Sequence, residues 1–394
     1  MPTKDPEGLP ELLPRLVALR HAIHRQPDLS GQEAATAGRL LDFLTPFKPD
    51  RVVEGLGGCG LAVVFDGSRP GPTTIFTSEL DAVPIADQGR GAHCSQVPGV
   101  GHLCGHDGHM TVTAGLGALL GGRRPREGRV VLLFRPQEET GRGAPAVVND
   151  RRLVEMAPGT IFGFHTMPGY PLGALLYRQG LFAWAATDYV VELLGKSAHG
   201  GQPGAGRSPA RALAQIIDHF DNFSAWYDLD PQDHASQAAY ALLGESDHGT
   251  TPGSARLRAT LRSRSDDGLA ALCGRVNRMV AEIARQHGLR CKSWPENGIP
   301  ATHNHRQALD LVLDCARQTG LRVIELDEAQ RWSDDFGVLA RLYPGAFFGL
   351  GGGAACGQLH GPDFDFPDEL LAPALRLYFV LVGRINGLEH PHSR

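Results

Sequence analysis

Apolar residues first recur at helical spacing. Leu13, Leu16, Val17, Ile23 and His24 form one such set, and Ala37, Leu40, Leu41 and Leu44 another, so residues 9–47 read as two helices. The stretch Gln26-Pro27-Asp28-Leu29-Ser30-Gly31 between them has turn chemistry. Short apolar runs follow at 60–65, 73–77, 129–134 and 160–164, each closed by Gly, Pro or polar residues, with a helix predicted over 110–120. Strands alternating with helices imply an α/β domain whose sheet is at least partly parallel. The rhythm changes near Ala183. A strand at 188–194, an amphipathic helix at 209–223, strands at 238–244 and 255–262, a long helix at 266–287 and a strand at 289–293 give the order β-α-β-β-α-β. That is the order of a ferredoxin-like α+β sandwich. After Pro300 the α/β rhythm returns, with helices at 306–319, 336–341 and 367–386 and strands at 321–325 and 346–350. The expected division is therefore one discontinuous domain, 1–183 and 297–394, holding an inserted domain, 184–296.

Length agrees with two domains, since 394 residues exceed one ordinary core. Hydrophobic residues at 42% and charged residues at 21% mark a globular chain. A net charge of −5 gives no electrostatic footprint for nucleic acid, and no Lys/Arg run suggests a membrane patch. No window holds the roughly 18 apolar residues of a membrane span. Residues 1–11 lack the basic-then-apolar order of a secretory signal, so the cytoplasm is the expected location. Seven widely spaced cysteines do not look like a disulfide framework; most read as buried thiols, and Cys104 sits in company that suggests a ligand.

Cys104 lies in the densest polar cluster, His102-Leu103-Cys104-Gly105-His106-Asp107-Gly108-His109. Thiolate and imidazole two residues apart, with Gly between, can point into one loop cavity and suit zinc or a similar ion. Arg135-Pro136-Gln137-Glu138-Glu139 closes a predicted strand. One of its two carboxylates can bind a metal while the other takes a proton from the attacking water, the two parts that metal-assisted hydrolysis needs. His165 ends another short strand, and His360 sits in a loop near the C-terminus. Asp81, after the run 73–77, can hold a ligating histidine in one tautomer.

Together these residues resemble the M20 metallopeptidases, in particular the aminoacylase, hippurate hydrolase and auxin-conjugate hydrolase branch. The likeness covers nearly the whole chain. It includes Arg20-His21-Ala22-Ile23-His24-Arg25-Gln26-Pro27-Asp28-Leu29-Ser30 and the Cys-Gly-His-Asp-Gly-His stretch 104–109. The resemblance implies a metallopeptidase-type catalytic domain with a mixed sheet flanked by helices, plus a lid or dimerisation domain. It implies two divalent metals held by Cys104, His106, Glu139, His165 and His360, with Glu138 as general base and Asp81 as supporting acid. Zinc is the expected metal, with manganese, cobalt or nickel as alternatives. His199, in Gly195-Lys196-Ser197-Ala198-His199-Gly200-Gly201-Gln202-Pro203, resembles a histidine that binds the substrate carbonyl oxygen and reaches the partner subunit's site in dimeric members. His21, His24, His102 and His109 read as structural or supporting groups.

The implied activity is hydrolysis of the amide bond of N-acyl amino acids or related small amides, by a homodimer. The alternatives are a dipeptidase or carboxypeptidase of the same family, and an inactive binding protein that keeps the fold. A structural zinc module does not fit, because such sites draw ligands from compact local clusters. Three departures from the branch stand out. Glu79 replaces the usual Asp, residues 249–253 are shorter than usual and lack an Asn, and residues 91–100 differ from the common pattern.

Overall fold

The computed structural model describes residues 6–227, 230–246 and 249–389; the first five residues of the N-terminal stretch discussed above lie outside it. Helix α1 (Leu9–Arg25) buries Leu9, Leu12, Leu16, Leu19 and Ile23 along one stripe. After α2 (Ala34–Leu44) come strands β1 (Arg51–Leu56), β2 (Gly60–Asp66) and β3 (Arg69–Glu79). Helix α3 (His106–Gly122) is buried at every position from His106 to Leu120, so it is a core helix with no solvent-exposed face over that stretch. Strand β4 (Glu127–Arg135), helices α4 (Gly143–Val148) and α5 (Arg151–Val154), and strands β5 (Thr160–Met167), β6 (Leu175–Tyr177) and β7 (Gly180–Ala183) complete the first half.

The chain continues through β8 (Ala185–Leu194), β9 (Ala198–His199), α6 (Ala210–Asp221), α7 (Phe223–Tyr227), β10 (His234–Leu243), β11 (Thr250–Thr251), β12 (Ser254–Ser263), α8 (Asp266–Gln286) and β13 (Arg290–Ile299). It then runs through β14 (Thr302–Asn304), α9 (Arg306–Gln318), β15 (Val323–Glu325), α10 (Phe336–Leu342), β16 (Gly345–Gly351) and α11 (Leu371–Ile385). These elements form two compact units: Met1–Phe182 with Thr302–Glu328 and Asp334–Arg394, and Ala183–Ala301 with Ala329–Ser333.

The first unit carries an eight-stranded mixed sheet, in the order β1-β2-β4-β3-β5-β16-β6-β15. Its centre, β4-β3-β5-β16, is parallel. Parallel neighbours require crossovers, and α3 makes the one from β3 to β4. The central strands are apolar on both faces, as buried parallel strands are: Val130 to Phe134 and Ile161 to Phe162 are fully buried. Register aligns Glu79 with Arg135 and His165 with Gly349, so the carboxyl ends of these strands sit level at one edge. Polar groups collect at that edge.

The second unit has a four-stranded antiparallel sheet in the order β10-β12-β8-β13, with α6 and α8 packed on it. Strand β12 alternates cleanly: Ala255, Leu257, Ala259 and Leu261 point inward, and Arg256, Arg258, Thr260 and Arg262 point away. Ser265 caps α8 by accepting from the Gly268 N–H at 3.0 Å. Element order and strand order are those of the ferredoxin-like sandwich the sequence pattern predicts.

Some elements escape sequence reading. Strand β1 is mostly exposed and shows no alternation, and β6 is three residues long, so neither carries a periodic signal. Helices α4 and α5 also follow no predicted pattern, since each is under two turns long.

Candidate metal centre

Six side chains converge at the carboxyl edge of the parallel strands. Gly105, with φ 92°, lets the chain turn sharply so that Cys104 precedes and His106 begins α3. Two residues on, a Cβ at Gly108 would lie 2.2 Å from the Phe366 ring, so this turn of α3 is seated against the C-terminal segment. Strand β5 delivers His165, whose Nε2 is 3.4 Å from Cys104 Sγ. Beyond β4 the chain bends through Gln137, a non-glycine residue at φ 54°. Glu33 Oε1 holds that bend, accepting from the Gln137 and Gly31 N–H groups at 2.8 Å each. The bend presents Glu138 and Glu139, and Glu139 Oε1 lies 3.3 Å from His360 Nε2.

Among the described residues ligand-type atoms form five groups, in each of which all lie inside 4.8 Å of one another; two of them share Cys104, namely Cys104, His106 and His165, and Cys104, Glu139 and His360. Around a tetrahedral zinc with bonds of about 2.3 Å to sulfur and 2.0 Å to nitrogen, ligand atoms stand about 3.5 Å apart. The spacings of 3.4 and 3.3 Å match that geometry. His106 Nε2 and Asp81 Oδ1 are buried and have no hydrogen-bond partner among the described residues. Such orphaned atoms are costly unless a ligand satisfies them.

Hydrogen bonds fix the imidazole tautomers. His106 Nδ1 lies 2.9 Å from the Asp81 carbonyl and His165 Nδ1 lies 2.8 Å from the Thr166 carbonyl. A carbonyl only accepts, so both Nδ1 atoms carry the proton and both Nε2 lone pairs face the cluster. Asp81 Oδ2 accepts from Ser30 Oγ at 2.6 Å and from the Glu139 N–H at 3.0 Å, tying the acid to the loop after β4. His109 stands behind the cluster. Its Nε2 accepts from the Thr166 N–H at 3.0 Å, so its Nδ1 donates to Glu79 Oε2 at 2.9 Å.

Charge at this edge is heavily negative. Glu79, Asp81, Glu138, Asp334 and Asp335 are buried together with Cys104, and Arg135 is the guanidinium among them. Arg135 Nη1 reaches Asp335 at 2.7 Å, and its Nη2 reaches Asp334 at 3.5 Å and Glu79 more closely. Burial, then Asp334, Glu139 and Asp335, push the Glu138 carboxyl well above the ordinary carboxylate range. Burial and Glu139 likewise push the Cys104 thiol up. Burial opposes the charged form of His106, yet the neighbouring Cys104 and Asp81 outweigh it and raise its proton affinity. An enclosed surplus of acidic groups beside imidazole Nε2 atoms suits divalent cations, which would displace the proton from His106 Nε2 and draw down the thiol and carboxyl pKa values.

Glu138 Oε2 lies 3.9 Å from His106 Nε2 and Glu138 Oε1 accepts from the Asp335 N–H at 3.3 Å. Of the residues singled out in the sequence, Cys104, His106, Glu138, Glu139, His165 and His360 come together, with Asp81 in contact. His199 belongs to the other unit, where it is exposed on β9 and its Nδ1 accepts from the Gly201 N–H at 3.1 Å. Sequence reading gave no role to Glu33 or Arg135. Glu33 has no sequence signal. Arg135 has one: a charge that closes the fully buried apolar run 130–134 needs a buried partner.

The sequence profile of Peptidase family M20/M25/M40 matches residues 75–384. An N-acetyldiaminopimelate deacetylase of Priestia megaterium is 28% identical over 339 residues, 85% of this chain and 89% of the relative. Among solved structures, the YxeP protein of Bacillus subtilis, described as a dinuclear metal-binding peptidase of the M20 family, shares the fold with a TM-score of 0.75. It is 23% identical, with 96% of this chain and 99% of that one covered. An aminobenzoyl-glutamate utilization protein of Klebsiella pneumoniae has a TM-score of 0.72 at 19% identity, covering 96% of this chain and 98% of its own.

Proposed function

This chain belongs to peptidase family M20/M25/M40, and from that premise we propose that it is a metal-dependent amidohydrolase of N-acyl amino acids or related small amides. The observation that carries the reading is the pair of ligand groups sharing Cys104, with Glu138 beside them. The dinuclear character of the YxeP neighbour and the deacetylase relative support it.

Cys104, His106 and His165 would hold one divalent ion, and Cys104, Glu139 and His360 a second, zinc being the expected metal. When bound, such ions supply Lewis acidity and lower the pKa of a water at the site. Asp81 keeps His106 in the tautomer that leaves Nε2 free, and steadies Glu139 through its N–H. Glu138 takes the proton of the attacking water on a carboxylate oxygen and passes it to the leaving nitrogen. Its burial among carboxylates suits that task, because it raises the proton affinity of the carboxylate. By its motif, His199 would donate to the oxygen of the reacting carbonyl. The inserted unit would serve as lid or dimerisation domain.

The test is hydrolysis of N-acetyl, N-benzoyl and indole-acetyl amino acids, N-acetyldiaminopimelate and dipeptides, with metal-loaded and chelated protein. Chelation should abolish turnover, and Glu138→Ala should lower kcat about 100- to 10,000-fold. Full activity of either sample would overturn the reading; faster turnover of dipeptides than of acyl amino acids would move it to a dipeptidase.

A further inference from the structure

A continuous run of buried hydrogen bonds passes behind the cluster, from Glu138 to His165. The Asp335 N–H donates to Glu138 Oε1 at 3.3 Å, and Asp335 Oδ1 accepts from Arg135 Nη1 at 2.7 Å. Arg135 Nη2 donates to Glu79 Oε1, and Glu79 Oε2 accepts from His109 Nδ1 at 2.9 Å. His109 Nε2 accepts from the Thr166 N–H at 3.0 Å, and the Thr166 carbonyl accepts from His165 Nδ1 at 2.8 Å. Arg135, Glu79, His109, Thr166 and Asp335 are each at most 1% exposed.

We propose that Glu79 and Arg135 form a positioning relay that locks the orientation of Glu138 to that of His165; this rests on reading Glu138 as the base. Glu79 is the hinge, because its two oxygens serve two different donors. An ionised carboxylate accepts on both sides. A glutamine there would turn an NH2 toward either Arg135 or His109, both donors in this arrangement, and one link would break. An aspartate falls one carbon short of spanning both. Arg135 keeps Asp334 and Asp335 when Glu79 loses its charge, so the site stays paired. Neither Glu79 nor Arg135 touches the substrate in this scheme; each acts through its neighbours.

The experiment compares E79Q, E79D, R135M and the E79Q/R135M double variant as full chains. Three readouts are needed: kcat and KM on the best substrate of the wild type, the absorption spectrum of the cobalt-loaded protein, and near-ultraviolet circular dichroism as a folding control. E79Q should lower kcat about 10- to 100-fold, the usual cost of losing a partner behind a ligand, with KM little changed. Its cobalt bands should shift as His165 turns. E79D, keeping one of two contacts, should fall between E79Q and wild type. If the pair acts as a unit, the double variant loses no more kcat than the worse single variant.

Wild-type kcat and cobalt bands in E79Q would overturn the relay, as would single losses that multiply in the double variant. A residue that merely supports the fold would lower stability and leave the cobalt bands in place. If E79Q does not fold, E79D and R135M carry the same readouts. Should Glu138→Ala stay active, or the wild type turn over no amide, the functional reading fails instead. The cobalt bands of E79Q then decide the relay alone.

Discussion

Arg20 and Arg135 are both buried in the first unit, yet acids beside them respond in opposite ways. Asp107 is held far below the ordinary carboxylate range: burial opposes this, but His24 and Arg20 outweigh it. Asp334 is pushed up to about 8, by burial first and then by Glu79 and Asp335, against the pull of Arg135. The difference is the company. Arg135 is shared by Glu79, Asp334 and Asp335, none more than 2% exposed. Arg20 pairs with buried Asp107 at 3.4 Å, and its other acids, Asp365 and Asp368, are 42% and 29% exposed and turn their surplus charge to water. A buried arginine therefore does not by itself say how its partners titrate: beside the same Arg135, Glu79, which also accepts from His109, is held well below the ordinary carboxylate range despite its burial, so the donors and carboxylates enclosed with each acid decide. At the metal edge the surplus is confined, and cations are what would relieve it.

Three changes would break or sharpen this contrast. Arg135→Met leaves its carboxylates enclosed without their guanidinium and should cost about 3–5 kcal/mol of stability in metal-free protein, read by urea unfolding. Arg20→Met removes a similar guanidinium, but two of its acids can be solvated, so about 1.5–3 kcal/mol is expected. Equal losses would mean that exposure of the partners does not govern the outcome.

The smallest effect near neutral pH concerns His102, which is fully buried and whose pKa burial lowers from 6.5 to about 3. A lowered histidine favours the fold fully above its unfolded value near 6.5, and this advantage is lost as pH falls toward about 3. His102→Phe should therefore flatten the decline of unfolding midpoint over that window. An unchanged slope would assign the acid limb to other groups.

Much of the site could be read from sequence because its parts are short and contiguous. Cys104 and His106 lie two residues apart, and Glu138 and Glu139 are adjacent. The relay behind them was not legible. Arg135 meets Asp335 across 200 residues of chain, and no local spacing encodes that encounter. For the fold, periodicity served where an element has an inside and an outside, as in α8 and β12, or holds an unbroken apolar run, as at 130–134 in β4. It failed at β1, where most positions face water and nothing distinguishes a strand from a loop. Glu79, a departure from the resembling branch, gains a physical meaning only in three dimensions. Its length lets one carboxylate span Arg135 and His109.

The close approach of Phe366 to Gly108 bears on anyone who would transplant this centre into another scaffold. Grafting the loop from His102 to His109 would carry the candidate ligands Cys104 and His106, but not the ring that seats the first turn of α3. The recipient would need a flat aromatic surface at that height, and a glycine facing it, before the cysteine and histidine could point the same way.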